Sequence, residues 1–148
     1  MRGQIAEVKA IIQPGGYMGG WGADSFENDD AQNFLGELDR KEPEDLKVIL
    51  ERAADHEGYL EAAESSVVVA AAEVVAAAKG QPALVIPPQI PDWMGRFEGA
   101  PSAEMTDLAR RAVERVRLNS ELKDLWLEAE GLNEWSAVLR DLEARLQS

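Results

Sequence analysis

From Asn28 onward, apolar residues recur at three- and four-residue spacing, the period of an amphipathic helix. Ala31, Phe34, Leu35 and Leu38 mark a first helix reaching about Lys41, with Asn28 or Asp29 placed to accept from its first free amides. Pro43 suits the first turn of a second helix, where its missing N–H costs nothing. Glu44 and Asp45 complement the dipole of that helix, Leu46, Ile49, Leu50 and Ala53 form its stripe, and Gly58 ends it. A third helix, from about Leu60 to Lys79, is different in kind. Val67, Val68, Ala71, Val74, Val75 and Ala78 give it a wide apolar face, and Ala63, Ser66, Ala70, Glu73 and Ala77 a narrow face of mainly small residues. A helix apolar nearly all round is a buried one, so this one is predicted to be central, stopped by Gly80 and Pro82.

Pro82, Pro87, Pro88 and Pro91 predict an extended connector with Trp93 as its anchor, because proline lacks the donor a helix interior needs. Beyond it, Met105, Leu108, Ala109, Ala112, Val113 and Val116 define a helix. Two more follow, one from Ser120 with Leu122, Leu125 and Trp126, and one from Asn133 with Trp135, Val138, Leu139, Leu142 and Leu146. The expected fold is all-α, a single-domain bundle of about six helices around the Val/Ala-rich one. Met1 to Tyr17 stands apart as an irregular N-terminal extension. Its apolar residues fit a strand (Ala6, Val8, Ala10, Ile12) or a helical face (Ile5, Val8, Ile12), and both readings are open. Met18 can serve as an initiator, so 18–148 is the expected domain and 1–17 is disordered or upstream of the native start.

At 148 residues the chain suits one domain with one core. It contains no cysteine, so disulfides, thiolate nucleophiles and cysteine-ligated zinc are excluded, and its one histidine, His56, excludes multi-histidine metal sites. The net charge of −13 is concentrated in the front half, where Met18 to Glu64 holds 14 acids against 4 bases. Such a field repels nucleic acid and anionic membranes as primary ligands and favours cations or a basic protein. No secretory leader or membrane span is legible, which predicts a cytoplasmic protein.

Asp24, Glu27, Asp29 and Asp30, with Asn28, offer the hard oxygens a divalent cation takes. The spacing is not that of an EF-hand, since Phe26 falls where a ligand is needed; a helix cap with first-turn carboxylates accounts for the same residues. No bound metal or cofactor is therefore expected. Gly15, Gly16, Gly19, Gly20 and Gly22 lack the lysine-hydroxyl pair and the leading strand of a phosphate loop. Trp21 and Phe26 are expected to pin the loop across the helices. Two residues are candidates for proton transfer: His56, expected in the last turn of the second helix, and Glu73, the one charge between Val67 and Ala78, which is expected to reach solvent or bond a partner. The basic cluster of Arg110, Arg111, Arg115 and Arg117 is predicted to be neutralised at four-residue spacing by Asp107, Glu114 and Glu121.

Trp21, Gly22, Phe26, Asn28, Asp29, Ala31 and Phe34, with the later blocks Gly58 to Ala62, Asn119 to Trp126 and Trp135, resemble the bacterial domain-of-unknown-function family 4259. The likeness covers Met18 to about Gln147. Ala23, Asp24 and Asn33 depart from the family's usual residues, which weakens a metal site in this loop. The resemblance implies domain limits and no activity. The expected function is a non-enzymatic acidic protein that binds a basic protein partner, in the manner of an inhibitor, immunity protein or antitoxin. The alternative is a divalent-cation-dependent enzyme or ion-responsive module using the acids from Asp24 to Asp30.

Overall fold

The computed structural model describes residues 23–148. Seven α-helices and no strand occur among them: α1 (Asp29–Gly36), α2 (Pro43–Ala54), α3 (Ala62–Ala78), α4 (Gln89–Trp93), α5 (Ala103–Leu118), α6 (Glu121–Glu128) and α7 (Leu132–Gln147). Single 3₁₀ turns, Leu38–Arg40 and Met94–Arg96, follow α1 and α4. The all-α bundle read from the periodicity is the fold observed, and none of these helices is long and apolar enough to cross a membrane. The N-terminal segment 1–17, with Trp21 and Gly22, lies outside the described residues.

α3 is the axis. From Ser65 to Ala77 every residue except Val67 is buried, and the other six helices all pack against it. Its alanines and serines let neighbouring backbones approach closely, while Val68, Val69, Val74 and Val75 fill the gaps between them. The helix ends as the glycine predicts. Gly80 takes a positive φ of 97°, its amide bonds the Ala77 carbonyl, and that of Gln81 bonds the Ala76 carbonyl. α5 is the second hub, touching α2, α3, α6 and α7 through its stripe from Met105 to Val116. Side-chain caps set several helix starts: Asn28 accepts from Ala31, Ser102 from Met105, and Ser120 from Lys123.

The differences from the sequence pattern have local or long-range causes. The first helix stops at Gly36, short of Lys41, and a 3₁₀ turn carries Leu38 into the core. The second ends at Ala54, before Gly58, with Asp55 as its C-cap, and beyond it the Arg115 guanidinium binds the carbonyls of His56 and Gly58. His56 is therefore beyond the last turn of α2. The connector is not extended throughout: Pro91 sits in the first turn of α4, where its amide would have no helical acceptor. Trp93 is the anchor, 2% exposed, its ring N–H donating to the Lys41 carbonyl at 2.8 Å. Arg117 does not pair with Glu121. The helix breaks at Asn119 between α5 and α6, so the four-residue spacing no longer places the two side chains together. Arg117 instead binds Glu143 on α7 through two bonds of 2.6 and 3.1 Å, and Glu121 accepts from the Ala62 amide.

Candidate functional site

Ser25 Oγ donates to Glu73 Oε2 at 2.7 Å, and the Arg145 guanidinium grips both oxygens of the same carboxylate at 3.0 and 3.1 Å. Three segments far apart in sequence thus meet at one carboxylate: the loop before α1, the middle of α3 and the last turn of α7. Glu73 is 2% exposed, a burial that an isolated charge would not tolerate and a bidentate guanidinium offsets. It is neither solvent-facing nor idle. Arg145 also donates to Asp141 Oδ2 at 2.8 Å and to the Gln81 carbonyl at 3.1 Å. Burial alone would lower its pKa; the bonds and charge of Glu73, with those of Asp141, outweigh that and hold it above the ordinary arginine value.

These groups border a cavity of about 920 Å³. One wall is the loop from Asp24 to Glu27 with Gln32, another the connector from Ala83 to Pro88, and the third is α7 at Ala137, Val138 and Asp141. Phe26 and Ile86 are half-buried in its side, whereas Leu84 and Val85 are wholly exposed. Four acids and one base line the space, and the base is already matched by Glu73 and Asp141.

The acidic loop is organised by its own bonds. The Asp24 amide donates to the Glu27 carboxylate at 3.2 Å, the Glu27 amide to the Asp24 carbonyl at 3.1 Å, and the Gln32 side chain to the Phe26 carbonyl at 2.8 Å. Asn28 is the cap, with Asp29 and Asp30 in the first turn behind it. Partial burial and the neighbouring Asp29 raise the Asp30 pKa. Asp24 and Glu27 face the cavity and Asp29 and Asp30 belong to the helix start; among the described residues no three acid or histidine side chains are grouped to hold an ion. His56 is remote from both, its Nε2 3.3 Å from the Tyr59 carbonyl.

The loop and the helices it joins fall inside a family match that spans residues 19–138. The chain belongs to Domain of unknown function (DUF4259). No curated protein and no solved structure matches it. The family match includes Ser25 and Glu73 but stops short of Asp141 and Arg145, so the guanidinium that completes the buried cluster lies beyond the matched region. Sequence reasoning found Glu73 and missed Ser25, Arg145 and the connector wall. The one signal for a partner was the cost of an unmatched charge in an apolar run; nothing local pointed to a residue 72 positions away.

Proposed function

We propose that this protein is a non-enzymatic, cytoplasmic bacterial interaction module that binds a basic protein partner through its acidic front half, as inhibitors, immunity proteins and antitoxins do. One observation carries the reading. Of the 14 acids between Met18 and Glu64, only Glu42 lies within ion-pair distance of a base among the described residues, its partner being Arg96 at 3.3 Å. Past Glu64 the balance is closer, 13 acids against 9 bases, and more of the acids are paired within the fold. Asp107 pairs with Arg110 and Arg111, Glu114 with Arg110, Glu143 with Arg117, and both Glu73 and Asp141 with Arg145. Bonds from Arg111 and Arg110 hold the Asp107 carboxyl below the usual range.

The acids of the front half are therefore largely free of internal counter-ions, and many of them are exposed. Glu44, Val48 and Glu51 are exposed at helical spacing along the outward stripe of α2, which continues to its C-cap Asp55 and includes one exposed base, Arg52, while Leu46, Leu50 and Ala53 face the core. An exposed valine among carboxylates gives a basic partner an apolar contact inside a field that speeds encounter. Surface charges of this kind are screened over about 10 Å at 0.1 M salt, so binding should weaken as salt rises.

The test is a pull-down from the source cell at low salt, with bound proteins identified by mass spectrometry. A basic protein should be enriched, lost at high salt, and lost from the triple variant Glu44→Lys, Glu51→Lys, Asp55→Lys, whose helix content should match that of the parent. Recovery of nothing enriched, or of a partner indifferent to salt and to the charge reversal, would overturn the proposal.

A further inference from the structure

The cavity beside Glu73 has two properties that its internal bonds do not explain. Leu84 and Val85 are exposed at its rim, on a connector flanked by Pro82, Pro87 and Pro88. Asp24 and Glu27 face the same space with no base within ion-pair distance among the described residues. The Arg145 guanidinium cannot serve an anion there, because Glu73, Asp141 and the Gln81 carbonyl already take four of its five N–H directions. What fits is an apolar body carrying a positive charge.

We infer that the cavity anchors a short segment of the partner protein in which a lysine or arginine lies next to a large apolar side chain, an inference that rests on the acidic-partner reading above. The apolar side chain enters between Phe26, Ile86 and Val138. The cation meets Asp24 and Glu27 at the loop wall, and the flanking backbone covers Leu84 and Val85. A polypeptide crossing the rim covers the outer faces of Leu84 and Val85 as well as filling the space between the walls. The proline-flanked connector and the loop pinned through Ser25 reduce the ordering cost of such binding.

The probe is a short peptide of alternating leucine and lysine, titrated at low salt into the ¹⁵N-labelled full chain beside its leucine–glutamate counterpart. The lysine peptide should shift the amides of Ser25, Phe26, Leu84, Val85 and Val138, and the glutamate peptide should not bind. Affinity should fall about tenfold in Asp24→Asn with Glu27→Gln, and again in Leu84→Ser with Val85→Ser, all of them at solvent-accessible positions. Shifts confined to the α2 stripe at Glu44, Val48, Glu51 and Asp55 would overturn the cavity site and leave the acidic-partner reading standing. Equal binding of the two peptides, or no binding of the lysine peptide, would also overturn the site, whereas the broader reading falls only with the pull-down.

Discussion

Arg145 reaches across from the last turn of α7 to hold both carboxylate oxygens of Glu73, at 3.0 and 3.1 Å, within the stretch of α3 from Val67 to Ala78 that is otherwise apolar. The pair fastens the end of the chain to its centre, and Lys79 adds to this by donating to the Arg145 and Leu146 carbonyls at 3.1 and 2.7 Å. Breaking a buried pair costs far more than replacing it, because the survivor is left charged without a counter-ion. Arg145→Met should therefore lower stability by about 3–5 kcal/mol in urea denaturation at neutral pH. Adding Glu73→Leu to it should recover most of that loss. A double variant no better than the single one would show that the pair is not the source of the effect.

Ser25 ties the acidic loop to the same carboxylate through a 2.7 Å bond. Removing a hydrogen bond to a charged group costs about 1.5–3 kcal/mol, and here the loss should be local. In Ser25→Ala, amide hydrogen exchange should accelerate from Asp24 to Asn28 while α5 keeps its protection. Uniform acceleration across the chain would mean that the bond supports the whole fold and not the loop.

The turn after α6 offers a steric test. The Gly131 amide bonds the Trp126 carbonyl at 3.0 Å and that of Glu130 the Leu127 carbonyl at 3.2 Å, which wraps the chain against the indole. A Cβ at Gly131 would lie 2.8 Å from Trp126 Cε3, and the ring, 5% exposed, has little room to swing away. Gly131→Ala should cost about 1–3 kcal/mol and lower the melting temperature. The neighbouring Glu130→Gly should raise it, since Glu130 holds a φ of 63° that glycine adopts without strain.

What the sequence made legible is what local periodicity and local chemistry encode. The stripes of α1, α2, α5 and α7, the central place of α3, the Asn28 cap and the Gly80 stop all depend on residues within one or two turns of each other. The rest depends on encounters between distant segments. Arg115 binds the turn after α2 from 59 positions away at His56, Arg117 prefers Glu143 to Glu121 because α5 ends between them, and Glu73 meets Ser25 and Arg145 only once three segments have packed. A charge in an apolar run announces that a partner is needed without naming it. The cavity is harder still to read, since its walls come from a loop, a proline-rich connector and a helix face with no shared sequence pattern.

Tyr59 Oη donates to Asp124 Oδ2 at 2.6 Å, joining the turn between α2 and α3 to α6. The bond to Asp124 holds the phenolic proton, with small contributions from burial and the nearby acids, and pushes the pKa up from 10.0 to about 12. The folded state therefore binds this proton more tightly than the unfolded chain does. The stabilisation from the bond is complete below pH 10, the unfolded value, and is lost as pH rises toward 12. In a Tyr17→Phe background, which leaves Tyr59 as the only tyrosine, phenolate absorbance should titrate near 12 while the helical circular dichroism is intact. Asp124→Ala should bring the midpoint down toward 10.0, and an unmoved midpoint in that variant would exclude the bond as the cause.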